Sequence, residues 1–185
     1  MNQSLVGRES FNPAMETAMP PSSLLKSNLQ ETLRMLVVID MQPDGFPLAR
    51  SVLRQVRQAI ANAMTSSWLV LIVEFDIECA GPTDPAIMST LAGYPYWRLV
   101  KKKAEDGSLE VIEAATEAGM STACPVPVFR LAGVTTDDCI SKTAHGLARR
   151  LPDCLVEVIT DACCNWQGAR FDWKQFSRAA NIVLI

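Results

Sequence analysis

The residues best suited to covalent chemistry stand at three separated places in this chain. Cys139 lies in GVTTDDCISKTAHGL, where an apolar segment hands over to a helical one. A thiol in the first turn of a helix sits among unpaired N–H groups at the positive end of the helix dipole. Both lower its pKa and favour the nucleophilic thiolate. Thr136, Asp137 or Asp138 would cap that turn, and its N–H groups would receive an oxyanion. Taken alone, such a cysteine reads equally as a small buried apolar residue. Asp40 closes the apolar run LRMLVVID and is followed by MQPDGF. A carboxylate at the end of a buried strand sits in low dielectric, so its pKa rises unless a cation pairs with it. Lys101, Lys102 and Lys103 end a further segment. One of these ammoniums beside Asp40 and Cys139 would offset their negative charge. His145, the one histidine, follows Cys139 at a spacing that turns it about 240° around a helix. Any base for the thiol must therefore be a carboxylate, and Asp40 is the best placed.

These side chains need a scaffold, and the hydrophobic pattern supplies one. Apolar runs at 33–40, 67–75, 96–100, 126–133, 154–161 and 181–185 read as strands. Helical patterns fall at 49–64, 108–119, 137–151 and 171–180. Most of the strands are apolar on both faces, as in a parallel sheet covered on both sides. The fold class is α/β, three-layer and Rossmann-like: a six-stranded, mostly parallel sheet with helices on both faces. Sites in such sheets form beyond the carboxyl ends of the strands. The suspects there are Asp40, Glu74, the three lysines, the turn 135–139 and Asp161. No G-x-G-x-x-G or P-loop motif follows any strand, so a dinucleotide or nucleotide-phosphate site lacks support.

Composition narrows the partners. A chain of 185 residues, 49% hydrophobic and 20% charged, is one domain with a full core. A net charge of −3 and few aromatic residues argue against nucleic acid. No apolar run approaches the ~20 residues of a membrane span. The partner expected is a small-molecule substrate. The six cysteines form no C-x-x-C pair, and the first thirty residues hold no signal-like apolar segment. A reduced, cytoplasmic setting is expected. One histidine and unpaired cysteine spacing imply no metal, and no dissociable cofactor is expected. Residues 1–30, with Pro13, Pro20 and Pro21, read as a poorly ordered arm ahead of a domain over 31–185.

VVIDMQPDGF, a lysine strand about sixty residues on, LAGVTTDDCISKTAHGL and VITDAC together resemble the isochorismatase-like cysteine hydrolase superfamily. The D-x-Q element (Asp40, Gln42) and the stretch from Gly133 to Cys139 carry that resemblance. It implies a six-stranded parallel sheet and an Asp–Lys–Cys triad. Cys139 would attack a carbonyl-like carbon, Asp40 would carry the proton, and the lysine would hold the pair. Water would then hydrolyse a thioester-type intermediate. The resemblance also implies a non-proline cis peptide between Val134 and Thr135, aiming the Thr135 N–H, with that of Cys139, at the oxyanion. Metal-dependent nicotinamidases of the superfamily carry histidines after the second strand. This chain has EFDIECAGPTDP there, so the resemblance supports neither zinc nor nicotinamide hydrolysis. For the lysine, spacing to Asp106 and Gly107 favours Lys102, whereas a strand ending after Val100 favours Lys101, whose face Lys103 shares; Lys102 is preferred. Gln42, Phe46, Trp97 and Trp166 are pocket candidates that read equally as core. The expected function is amide-type C–N bond cleavage of a small molecule, by a homo-oligomer (dimer or tetramer). The alternatives are vinyl-ether hydrolysis of the isochorismatase type and a catalytically idle binding or structural member of the fold.

Overall fold

The computed structural model describes residues 33–119, 126–166, 171–176 and 179–185. The segment 1–30, expected to form an arm, and Cys124 lie outside the described residues. Six strands make one sheet: β1 (Arg34–Ile39), β2 (Leu69–Phe75), β3 (Trp97–Lys102), β4 (Val128–Val134), β5 (Leu155–Cys164) and β6 (Ile182–Leu184). Their order is β3-β2-β1-β4-β5-β6. Every pairing is parallel, where the sequence analysis expected a mostly parallel sheet. The chain runs outward from β1 through β2 to β3, then returns to the other side of β1 to lay down β4. The strand order reverses between β1 and β4, and their carboxyl ends open a crevice there.

Two apolar layers hold the sheet. One face packs α3 (Ser108–Glu117) and α4 (Ser141–Arg150) through Val111, Ala115, Ala144 and Leu147 against Val37, Val73 and Leu131. The other packs α1 (Leu53–Thr65) and the short α2 (Pro85–Thr90) through Val56, Ile60 and Ile87 against Leu36, Val38 and Ile72. In α1, Val56, Ile60 and Ala63 fall three or four residues apart on one buried stripe. The sequence pattern left α2 inside a turn-rich stretch. Its signal was Asp84 ahead of Pro85: the carboxylate accepts from the Ala86 N–H at 2.9 Å, and proline opens the first turn.

Three boundaries differ from the pattern reading. The expected helix over 171–180 is, among the described residues, one 3₁₀ turn (Trp173–Gln175). Phe171, Trp173 and Phe176 share no α-helical face and instead pack as an aromatic group. The expected helix over 137–151 begins as a wide π turn (Thr136–Ile140) before α4. β5 continues past Asp161 to Cys164, because its pairing with β4 skips: Leu131 opposes Val158, and Gly133 opposes Cys163. The extra residues on β5 form a bulge, which brings Cys164 beside Val134 at the crevice.

Gly133 marks the closest backbone approach in this region. Its φ is +127°, and a Cβ there would fall on the Ile39 carbonyl oxygen of the paired strand. Gly133→Ala should therefore lower stability by about 3 kcal/mol or more, combining backbone strain with overpacking. Gly93→Ala also has a positive φ (+78°) but meets nothing within 4 Å, and should lose only the strain contribution. Urea unfolding midpoints of the two variants check the difference.

Candidate active site

Asp40 is the first residue beyond β1. Its φ of +52° lies in the left-handed region, which aspartate tolerates better than most residues. Its N–H donates to the Val73 carbonyl at 2.9 Å, so the turn stays anchored to β2. Lys102 is the last residue of β3, in register with Phe75 at the end of β2. Cys139 lies in the π turn after β4. The three come from strands separated by β2 on one side and adjacent on the other, and their side chains meet.

The Lys102 ammonium is the hub. Its Nζ lies 3.0 Å from Asp40 Oδ2, 3.1 Å from the Ala104 carbonyl and 3.4 Å from Cys139 Sγ. The carbonyl and the sulfur accept hydrogen bonds from it, and the Asp40 carboxylate pairs with its charge. It also sits 4.1 Å from the centroid of the Phe75 ring, a contact worth about 2 kcal/mol when desolvated. Asp40 and Lys102 are both 0% exposed, and Cys139 is 3% exposed. Of the three lysines left open by the sequence, Lys102 is the one brought to Asp40 and Cys139. Lys101 points outward to Asp76 at 3.5 Å, and Lys103 is exposed. The period of two along β3 held the signal: Val100 is buried, so the residue two further on shares its face.

Burial raises the Asp40 carboxyl above its usual 3.8, against the pull of Lys102 and a hydrogen bond with the Cys139 thiol. Burial also pushes the Cys139 thiol up to about 12, helped by the Asp40 carboxylate and opposed by Lys102. This corrects the sequence expectation of a favoured thiolate. Position at the start of a helix is outweighed by loss of solvent and by the neighbouring carboxylate. The capping expectation changes too. No side chain caps the turn, and Asp138 instead pairs with Lys142 at 2.6 Å on the surface. The Thr135 carbonyl accepts from the N–H groups of Asp138 (3.3 Å) and Ile140 (2.9 Å), closing the π turn around Cys139. The peptide between Val134 and Thr135 is cis. His145 turns away, with Nδ1 at 2.7 Å from the Ser141 carbonyl and its ring stacked on Phe176.

Beside this cluster lies a cavity of about 220 Å³ lined by Phe46, Pro47, Leu48, Ala49, Val134, Thr135, Asn165 and Trp166. Phe46 and Trp166 meet edge to face at 5.9 Å. Gln42 is not part of it. Its Oε1 accepts from the Phe75 N–H at 2.7 Å, and its Nε2 donates to the carbonyls of Phe75 (3.2 Å) and Gly81 (2.6 Å). Gln42 is thus a brace for the end of β2, where the Phe75 ring meets Lys102. Trp97 stands at the amino end of β3, five residues before Lys102, about 16 Å away along a strand. It packs in the α1 and α2 layer and does not line the pocket. Among the other strand-end suspects, Glu74 Oε1 takes both the N–H and the hydroxyl of Thr83 at 2.8 Å, and Asp161 is exposed.

Sequence reasoning missed the supports around the ammonium. Gly107 packs on it so closely that a Cβ would come 2.8 Å from Lys102 Cδ, and the Gly107 N–H donates to Thr143 Oγ1 at 3.0 Å. Phe75 read as an ordinary core residue, and the Ala104 carbonyl has no signature in residue type. Asn165 was not singled out. Among the described residues, no group of three or more His, Cys, Asp or Glu side chains could hold a metal ion.

No protein-family model matches the chain, and no curated protein matches it in sequence. Solved structures do match it. A nicotinamidase from Staphylococcus aureus superposes with a TM-score of 0.66 at 13% identity, over 83% of this chain and 98% of that one. A ribonuclease from Caenorhabditis elegans gives 0.66 at 20% identity, over 84% and 78%. An isochorismatase-family protein gives 0.61 at 15% identity, over 82% and 97%. The fold is shared with all three.

The ion pair at the hub yields a stability prediction. Lys102→Met keeps much of the side-chain volume but leaves the Asp40 carboxylate buried without its cation. Removing one partner of a buried pair costs about 3–5 kcal/mol. The expected outcome is an urea midpoint lowered accordingly, with Lys102→Met/Asp40→Asn recovering a large part of the loss. Additive losses in the double variant would show that the two groups do not interact.

Proposed function

We propose, from the isochorismatase-like fold this chain adopts, that it is a cysteine hydrolase cleaving a C–N bond of a small amide. The observation that carries this reading is the meeting of Asp40, Lys102 and Cys139 in one buried cluster, with the ammonium paired to the carboxylate and hydrogen-bonded to the sulfur. In the resting protein the sulfur holds its proton, since its pKa is raised to about 12. The thiol and the Asp40 carboxylate meet at the same ammonium, and in this reading the sulfur's proton leaves as it attacks.

Sγ bonds to the carbonyl carbon as its proton passes to Asp40. The carbonyl oxygen gains the negative charge, and the N–H groups of Thr135 and Cys139 are its proposed donors. Collapse breaks the C–N bond, and Asp40 returns the proton to the leaving amine. The product is an acyl-thioester on Cys139. Water then attacks that carbon, giving its proton to Asp40. The C–S bond breaks, the carboxylic acid leaves, and the sulfur recovers the proton from Asp40. Lys102 keeps its positive charge throughout, offsetting whichever of Asp40 and Cys139 is negative.

Asp40 can accept the thiol proton only when ionised. Its carboxyl lies above 3.8, so kcat/KM should fall as pH drops through that raised value, on an acid limb above the ordinary aspartate range. The test is ammonia release from a panel of small primary amides and carbamoyl compounds, with isochorismate beside them. Cys139→Ala and Asp40→Asn should each lose at least about 10³-fold. Intact-mass analysis of quenched reactions should show an acyl adduct on Cys139. Activity surviving in Cys139→Ala, or turnover of isochorismate alone, overturns the amidase reading.

A further inference from the structure

Charge along this chain is segregated in a way the active site does not use. Residues 45–73 carry three arginines, Arg50, Arg54 and Arg57, and no carboxylate. Residues 104–129 carry five carboxylates and no lysine or arginine. The three arginines are exposed along the 3₁₀ turn Pro47–Ser51 and α1, on the side away from the buried Val56, Ile60 and Ala63. Glu110, Glu113 and Glu117 run along α3, away from its buried Val111, Ala114 and Ala115. Glu113 and Glu117 are exposed; Glu110 is half-buried with one oxygen inaccessible, so it adds its charge rather than a contact. Among the described residues none of these six side chains is in an ion pair. Each stripe is also set against its own helix. Arg54 stands in the first turn of α1, which holds no carboxylate, and Glu117 ends α3, whose last turn holds no base. A cation at the positive end of a helix dipole and an anion at the negative end are both disfavoured, and an opposite charge from outside relieves each.

We infer that the arginine stripe on α1 of one copy docks antiparallel on the glutamate stripe on α3 of another, a head-to-tail contact between two copies of this chain. The spacings match in that direction. From Arg57 back to Arg54 is three residues and on to Arg50 four; from Glu110 to Glu113 is three and on to Glu117 four. At 1.5 Å per residue each stripe is about 10 Å long. Arg54 then faces Glu113, Arg50 faces Glu117, and Arg57 lies beside Glu110. The antiparallel setting also brings the positive end of α1 to the negative end of α3. A hollow of about 510 Å³ lies among the three arginines, lined also by Leu53, Gln58 and Ala61. Leu109, 53% exposed at the start of α3, comes opposite Gln58 in this alignment and fills part of that hollow. α1 and α3 cover opposite faces of the sheet, so the two stripes of one copy do not meet each other. Two different surfaces meet, and the contact is heterologous. Both halves of the match stand on the same chain, which singles out a second copy over an unrelated anion. The contact uses neither Asp40, Lys102 nor Cys139, and it stands or falls apart from the hydrolase reading.

Sedimentation equilibrium of the full chain tests this. In about 50 mM NaCl the average mass should rise with concentration above that of one chain, and the dissociation constant should weaken at least about 10-fold by about 500 mM, where charges are screened over a few ångströms. Arg54→Glu and Glu113→Arg each set like charges face to face, and each should weaken association about 10-fold or more. Mixing the two variants, or combining both changes in one chain, makes the facing charges opposite again and should bring the constant back to within about threefold of the unmodified protein. A merely structural role for either residue would not produce that recovery. Far-UV circular dichroism checks folding, and where either variant is unfolded the matched pair Arg50→Glu and Glu117→Arg takes its place. Three results each overturn the contact: association unmoved by salt, a folded single variant that associates as the unmodified protein does, or no recovery in the mixture and the double variant. A single chain at every concentration in low salt also overturns it, and leaves the arginines to an anion other than this chain.

Discussion

An ammonium buried at the end of a parallel sheet must find a counter-charge and acceptors within the protein. Lys102 finds its counter-charge in the Asp40 carboxylate and its acceptors in a backbone carbonyl and a sulfur. This requirement organises the crevice. β3 and β1 are separated by β2, so their backbones lie about 10 Å apart. Only a long side chain crosses that gap, and it must pass over whatever ends β2. Phe75 ends it, offering a ring face to the cation. Gln42 in turn fixes the Phe75 backbone by accepting its N–H and donating to its carbonyl. Gly107 leaves room for the lysine stem. Asp40 takes a left-handed φ and places its carboxylate under the ammonium. Each of these residues answers to the same buried charge.

The fold itself decides less. The solved structures that share it include a nicotinamidase and a ribonuclease, so the architecture hosts unlike chemistries, and the activity must be argued from the site. What the fold supplies is convergence. Reversal of strand order between β1 and β4 puts Asp40 and the Cys139 turn on neighbouring strand ends, and β3 is close enough for one lysine to reach both. The β5 bulge then places a wall of the cavity against the same turn.

Much of this was legible in the chain because buried parallel strands leave an unambiguous trace: continuous apolar runs that each end at a polar residue. Asp40 and the 133–139 segment stood out for that reason. The choice among Lys101, Lys102 and Lys103 turned on a single-residue shift in where β3 ends, and the period of two resolved it only once Val100 was known to be buried. Gln42 was legible as important but not as a brace, since its partners are backbone groups 33 and 39 residues away. The strand read at 96–100 already put Trp97 at its amino end, away from the carboxyl ends where such sites form, and the structure keeps it there. The bulge in β5 was invisible. A slip in pairing depends on the neighbouring strand, and β5 alone reads simply as apolar up to Asp161.

The thiol at Cys139 illustrates how the parts constrain one another. A helix start lowers a thiol pKa when water can reach the sulfur, but here desolvation and the adjacent carboxylate dominate, and the thiol moves the other way. The cluster therefore holds one cation and one anion at rest, with the proton on sulfur within reach of Asp40. Loss of that proton from the cluster would leave two anions beside a single ammonium, so the proposed reaction passes the proton rather than releasing it. The same arithmetic bears on what can bind next to it. A negatively charged substrate would add a second anion at low dielectric, disfavouring both ionised Asp40 and the forming C–S bond. An uncharged substrate adds none. In the proposed reaction its developing oxyanion appears only as the sulfur's proton reaches Asp40, so the site never carries more than the one negative charge that Lys102 balances.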